Sequence, residues 1–431
     1  MYTKAEEIFI KTVKQDCDDN SKNTSFSCKS KIDKFLTGKL TGYPIMLLFL
    51  VFIFWLTITG ANYPSALLSR IFTGLGEKLS SLFIIFHAPD WLHGMLIDGV
   101  YRVLSWVVSV MLPPMAIFFP LFTLLEDSGF LPRIAYNLDR PFQKCRACGK
   151  QALCMCMGFG CNAAGVTGCR IIDSPRERLI AILTNSFVPC NGRFPTLIAL
   201  LTMFFITSEN NILNTFSCSL FLTLFILLGI LMTFFISWLL SRTLLKGLPS
   251  AFILELPPYR LPQIKKVLIR SVFDRTVFVL KRAVIVAAPA GLFLWIMANI
   301  EIQNNTLLSC FTGLLDPFGK LLGMDGTILS AFILGFPANE IVMPIILMSY
   351  LSQGTLVEIN DLNSLKEILI SNGWNLATAL HVMIFSLFHW PCSTTLITIH
   401  KETGSLKWTA LAFLLPTLIG IVICFILTLL F

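Results

Sequence analysis

The sequence predicts an all-α, polytopic membrane protein with about 8–10 transmembrane or re-entrant helices and two gate-type repeats of broken helices. Three observations predict it. Of 431 residues, 55% are hydrophobic and only 13% charged, about half the charged share of a soluble domain. The apolar residues fall into runs of about 20, long enough to cross a bilayer core as helices that satisfy their own backbone hydrogen bonds. Some of these runs are interrupted by Pro and Gly at corresponding places in the two halves of the chain. The net charge of +8 does not point to nucleic acid, because the basic residues cluster between apolar runs and mark cytoplasmic loops. Membrane lipid is the expected surrounding, and no nucleic-acid partner is expected.

Residues 1–42 are polar and basic, with a short amphipathic helix expected over Ala5–Lys14 and a linker over 15–30. No cleavable signal peptide is recognisable. Lys31, Lys34 and Lys39 lead into a first span, about Tyr43–Gly60, and place the N-terminus in the cytoplasm. Residues 62–98, with Pro64, Pro89 and Trp91, suggest an interfacial segment outside. A second span, about Val103–Leu125, contains Pro113, Pro114 and Pro120 and ends in Glu126 and Asp127. Residues 128–178 are basic and should be cytoplasmic, and the apolar piece Ala152–Ala164 within them is too short to cross.

The third span, about Leu179–Ile206, is broken by Pro189, Asn191, Gly192, Arg193 and Pro195, and the fourth is about Phe216–Leu240. Residues 242–282 carry nine Lys or Arg against Glu255 and Asp274, the strongest cytoplasmic marker in the chain. A fifth span covers about Ala283–Ile300. Thr327–Tyr350 is interrupted by Gly335, Pro337 and Pro344, and a plain crossing there would put Lys401 and Lys407 outside, so a re-entrant hairpin folded near Pro337 is expected. Spans at about Leu376–Ile399 and Trp408–Phe431 complete the chain. The organisation is thus an N-terminal segment, 1–42, a membrane half, 43–241, a basic cytoplasmic loop, 242–282, and a second membrane half, 283–431.

The halves share a pattern. Gly158-Phe-Gly-Cys-Asn162 and Gly335-Phe-Pro-Ala-Asn339 are followed downstream by Pro189-Cys190 and Pro391-Cys392. Paired interrupted segments point to a transporter site, because broken helices expose carbonyls and helix ends at membrane depth. The breaks supply Cys161, Asn162, Cys190, Asn339, Glu340 and Cys392. Three thiols and a carboxylate suit a borderline divalent cation such as Fe²⁺, Mn²⁺ or Zn²⁺, whereas Mg²⁺ prefers oxygen alone. An intramembrane carboxylate such as Glu340 is a functional candidate in itself.

Weaker candidates are Glu126 and Asp127, which can simply mark an interface, and His389, which is as readily a packed neutral histidine as a ligand. Cys145, Cys148, Cys154 and Cys156 open with C-x-x-C but lack a second one at zinc-ribbon spacing. Cys169, Cys218, Cys310 and Cys424 read as small packing residues. The chain shows no phosphate-binding G-x-x-x-x-G-K-[ST] loop and no nucleophile–base pair, so neither an enzyme nor a bound organic cofactor is expected.

These motifs resemble the membrane domain of the ferrous iron transport protein B (FeoB) family. Leu125-Glu-Asp-Ser-Gly129, Gly158-Phe-Gly-Cys-Asn162 and Pro189-Cys-Asn-Gly-Arg-Phe-Pro195 are similar to its first gate, and Glu255-Leu-Pro-Pro-Tyr-Arg-Leu-Pro262 to the loop before the next span. Gly335-Phe-Pro-Ala-Asn-Glu340 and Pro391-Cys-Ser-Thr394 are similar to its second gate, and Lys401-Glu-Thr-Gly-Ser405 with Lys407-Trp408 to its ending. The resemblance implies Fe²⁺ as transported substrate, the bacterial inner membrane as location, and Cys161, Cys190 and Cys392 as pathway thiols. Asn339 departs from the lysine usual in the family. FeoB proteins begin with a GTP-binding domain and a helical spacer, and residues 1–42 resemble only the end of that spacer. Either a separate chain supplies the GTPase to a permease module, with a small SH3-like accessory protein as a candidate partner, or the chain is a stand-alone or degenerate relative; a homo-oligomer is compatible with both. The same gate modules also occur in nucleoside-recognition and sporulation membrane proteins, which keeps a regulatory or scaffold role without iron transport as the alternative.

Overall fold

The computed structural model describes residues 41–205, 211–247, 276–302, 305–357 and 361–430, with isolated positions beside them. The expected helix at 5–14, the linker at 15–30, the Glu255–Pro262 motif and most of the basic loop lie outside the described residues. The described chain is helical apart from one small hairpin, β1 (Glu301–Ile302) paired antiparallel with β2 (Asn305–Thr306). Among the described residues, seven helical segments are long and apolar enough to cross a membrane, and one helix pair bent by 109° adds an eighth if it is counted as a single span. The chain is a multi-pass membrane protein.

The first helix corrects one expectation. Helix α1 (Gly42–Ile85) does not stop at Gly60 but runs on through the segment expected to lie along the interface. Beyond Pro64 the apolar residues Leu68, Ile71, Leu75, Leu79 and Leu82 keep helical spacing, and that periodicity outweighs the single hydrogen bond a proline removes. At a rise of about 1.5 Å per residue its 44 residues measure about 66 Å, roughly twice the bilayer core, so part of it projects beyond the apolar layer. Helix α2 (Asp90–Asp127) packs along α1, with a π-helical stretch at Gly94–Tyr101.

The region after α2 holds α3 (Phe130–Lys144), then two short helices, α4 (Lys150–Gly160) and α5 (Asn162–Gly168), separated at Cys161. The next span is broken: α6 (Pro175–Thr184) and α7 (Phe194–Leu200) flank an irregular stretch centred on Val188–Cys190. Ser174 caps α6 by accepting from the Glu177 N–H, with Pro175 at the first helical position, where it loses no bond. Helix α8 (Asn211–Arg242) ends the first half.

The second half begins with α9 (Phe278–Asn299), followed after the hairpin by α10 (Leu307–Leu321) and α11 (Gly326–Leu334), the pair bent by 109°. Asp325 caps α11 through the Ile328 N–H. The chain breaks at Gly335–Ala338, and α12 (Val342–Tyr350) packs on α11. Then come α13 (Leu362–Ser371), α14 (Leu376–Phe388), α15 (Ser393–Thr403) and α16 (Leu406–Leu430).

Burial sorts these helices by continuity. The broken spans α6–α7 and α14–α15 are mostly enclosed, while α1 and α16 are mostly exposed. Leu48, Leu224, Leu231, Leu418 and Leu429 stand on the outside, as lipid-facing side chains do. The order follows from the bilayer: a broken backbone exposes polar groups that hydrocarbon cannot satisfy, so it must lie inside protein. The halves interlock there, with α15 packing on α5 and the Asn191–Arg193 turn touching the Asn339–Ile341 turn.

Candidate functional site

The two repeats match in backbone as well as sequence. Cys161, between α4 and α5, has φ −157°, ψ 126°, and Ala338, at the same place in the second repeat, has φ −151°, ψ 115°. Cys190 and Cys392 are both extended, with φ −88°, ψ 168° and φ −60°, ψ 158°. Each extended residue stops one helix and starts another turn, so its neighbours point inward rather than along a helix face.

All six residues expected at the breaks come together. Cys161, Asn162, Cys190, Asn339, Glu340 and Cys392 line one cavity of about 30 Å³, with Gly192 and Thr394 beside them and Met111 and Met115 of α2 on the wall. The space holds one or two waters and excludes a hydrated cation. Among the described residues, no three side chains of His, Cys, Asp or Glu are gathered closely enough to hold a metal ion. The donors converge on one place but are not closed around a point.

The gates meet at this cavity. A Cβ on Gly192 would run into the Glu340 carboxylate as it stands, so a side chain there would require that carboxylate to shift. In the first gate, Asn185 donates to the Asn162 carbonyl at 3.0 Å, and the Asn162 amide donates to Val188 O and Gly158 O, both at 3.2 Å. Gly165 lets α5 lie against Asn185, whose Oδ1 would stand 2.6 Å from a Cβ there. In the second gate, Ser393 ties the two breaks together, its N–H donating to Phe336 O at 3.0 Å and its hydroxyl to Pro337 O at 3.3 Å. The Cys392 Sγ lies 3.2 Å from the Thr395 hydroxyl.

The weaker candidates lie elsewhere. His389 is buried but outside the cavity wall: its Nδ1 donates to Ser386 O at 2.8 Å and its Nε2 meets the Asn339 amide at 3.3 Å. It supports Asn339 rather than facing the cavity. Glu126 and Asp127 are exposed at the end of α2. Cys145 and Cys148 follow α3 and do not line the cavity, and burial raises the Cys145 thiol above its ordinary value. Burial first, and the Glu177 carboxylate second, push Cys148 from 9.0 to about 12.

Two residues were not singled out by the sequence. Trp106 donates its Nε1 to Glu340 O at 3.4 Å and also lines a separate cavity of about 330 Å³ between α1 and α2, with Glu77, His93 and Asp98 among its walls. Arg193, read only as a helix breaker, is almost completely buried and donates to carbonyls of both halves. The signal was present: a charge inside an apolar run is a functional candidate whether acidic or basic.

Fold and site together define a class: a polytopic helical membrane protein in which two broken-helix repeats face each other across one small cavity. The profile described as "Nucleoside recognition", the gate domain, matches residues 108–204 and 280–406, and that described as "Ferrous iron transport protein B C terminus" matches 222–274. The chain belongs to the ferrous iron transport protein B family and carries its gate region. A protein named Fe(2+) transporter FeoB from Staphylococcus aureus (strain MSSA476) is 31% identical over 97% of this chain and 61% of its own length. The namesake from Methanocaldococcus jannaschii is 26% identical over 92% of the chain and 58% of its own length. The "Fe(2+) transport protein A/Fe(2+) transporter FeoB fusion protein" of Porphyromonas gingivalis (strain ATCC BAA-308 / W83) is 24% identical over 92% of the chain and 51% of its own length. The chain thus spans at most about three fifths of these relatives. No solved structure matches it.

Proposed function

We propose that this chain carries ferrous iron across the membrane along a path between the two gates. Cys161, Cys190, Cys392 and Glu340 act as passing ligands, and Asn162 and Asn339 assist through oxygen. The observation that carries the reading is that side chains from both gates, at both kinds of break, line one enclosed cavity. The thiols would also admit Mn²⁺ or Zn²⁺, and the choice of iron is supported by the relatives named Fe(2+) transporters. Ligands that are few and loosely gathered suit transport, since the ion must leave again. Access alternates by movement of one half, 43–241, against the other, 283–431.

The cytoplasmic membrane of a bacterium, with the N-terminus inside, is the location this reading takes. A GTPase module drives or gates the movement, and a small SH3-like protein assists, a pairing in keeping with the printed name of the Porphyromonas fusion protein. The description of the gate profile keeps one competitor in view, a membrane regulator or scaffold that moves no metal. The test is uptake of radioactive iron into iron-starved cells expressing the chain with its GTPase partner. Serine at Cys161, Cys190 and Cys392 together should abolish it. Normal uptake by that variant sinks the ligand assignment, and absence of uptake by the wild type favours the regulator.

A further inference from the structure

Arg193 is the largest fully buried side chain among the described residues. It is 1% exposed, inside a membrane span, and no ion pair with an acidic side chain holds it among the described residues. A guanidinium in that position is expensive unless its donors are satisfied. Nη1 donates to Ser186 O at 3.1 Å and to Leu387 O at 2.9 Å. Nη2 donates to His389 O at 3.2 Å and to Trp390 O at 3.3 Å. Only Nε is without a partner among the described residues.

The acceptors are those left orphaned by the breaks. Ser186 precedes the Pro189-Cys190 break, and Leu387, His389 and Trp390 precede Pro391-Cys392, where proline offers no N–H and the extended chain ends the helical ladder. One planar fork thus ties the first half's break to the second half's, across about 195 residues of sequence. Cys190 lies three residues before the fork, and Cys392 two residues after its last acceptor. The residue equivalent to Arg193 in the second repeat is Thr395, whose hydroxyl instead faces Cys392, so the pair of gates has one such strut.

We propose that Arg193 is the positioning residue of the thiol site: a clamp that holds the two Pro-Cys breaks against each other and so sets where Cys190 and Cys392 stand. Space-filling alone would be met by an uncharged side chain without the cost of burying a charge. A lysine, a point charge with three donors, cannot reproduce a fork that reaches four carbonyls at fixed angles. The consequence for transport rests on the proposed role of these thiols, but the clamp itself can be tested without iron.

The experiment follows alkylation of each cysteine by N-ethylmaleimide, read by peptide mass spectrometry, in the full chain in lipid nanodiscs. Wild type, Arg193→Lys and Arg193→Gln are compared, and uptake of Fe²⁺ is measured for each after reconstitution into sealed liposomes. Arg193→Gln should raise the rates at Cys190 and Cys392 about tenfold, the factor carried by one charge-assisted hydrogen bond, with Arg193→Lys between it and the wild type. Cys169, Cys218 and Cys424, buried elsewhere, should not change. The KM for Fe²⁺ should rise with the two reactive thiols. Equal acceleration of all five cysteines would overturn the clamp in favour of a general packing role, and unchanged rates at Cys190 and Cys392 would overturn it outright. Selective acceleration with no iron uptake by the wild type upholds the clamp and removes the iron reading. Unchanged rates beside normal wild-type uptake do the reverse.

Discussion

The two gates share a backbone and divide the chemistry. At the glycine-rich break the first gate has Cys161 and Ala163 where the second has Ala338 and Glu340. At the Pro-Cys break both have a thiol, but the first continues with Gly192 and Arg193 and the second with Thr394 and Thr395. So the first gate supplies two thiols and the buried cation, and the second one thiol, the carboxylate and the hydroxyls. Neither set is sufficient alone. A duplicated scaffold gives matching positions facing one cavity, and divergence at those positions makes its lining mixed. The Gly192–Glu340 contact shows how tightly this is fitted, because each residue fills the space the other leaves.

The comparison can be broken most severely at that contact. Gly192→Ala should remove transport and cost about 1–3 kcal/mol of stability, the usual penalty of overpacking. Combining it with Glu340→Ala should recover stability, since the obstructing carboxylate is gone, but not transport. Thermal unfolding in detergent and iron uptake measured on the same preparations separate the two effects. If Gly192→Ala behaves as wild type, the gates are not in contact there.

A smaller effect tests equivalence of the repeats. Cys161→Ala should lower uptake by at least the roughly tenfold that loss of even an outer ligand costs. Ala338→Cys, at the matching φ, ψ, should restore part of it by returning the thiol from the other side. No recovery would mean that the repeats do not face the ion symmetrically. Smaller again is Trp106→Phe, which removes the indole bond to Glu340 O and should raise the KM about fivefold, the worth of one neutral hydrogen bond.

The smallest effect contrasts the gate thiols with those of the segment after α3. Cys148→Ser should leave uptake within about twofold of wild type, because Cys148 does not line the cavity between the gates. The sign of its linkage is fixed: the folded state holds the proton more tightly, so the contribution is intact below pH 9 and is lost as pH rises towards 12. Maleimide should accordingly label exposed Cys310 quickly and Cys148 slowly at pH 8. Fast labelling of Cys148 would show that the segment opens.

Much of the architecture was legible in the sequence, for physical reasons. Apolar runs of bilayer length announce spans, and Pro and Gly within them announce breaks, because hydrocarbon leaves few other uses for either. Cys161, Cys190, Cys392 and Glu340, all four of which line one cavity, were singled out from the breaks alone. Their meeting was not, since sequence spacing carries no information on how α5 packs against α15. Pro64 misled because a proline's effect depends on whether the flanking periodicity persists, and on α1 it does. His389 looked like a ligand because it adjoins Pro391-Cys392, yet an extended residue turns its side chain away from its neighbour's, towards Asn339. Arg193 was passed over as a breaker, although its burial follows from the same rule that marked Glu340.

The central claim is that both gates contribute thiols to one ion path. Its most direct test is iron K-edge X-ray absorption on the purified chain loaded anaerobically with Fe²⁺. The account predicts sulfur scatterers near the first shell in the wild type, fewer after Cys190→Ser and fewer again after Cys392→Ser is added. A sulfur shell unchanged by serine at Cys161, Cys190 and Cys392 together would contradict it.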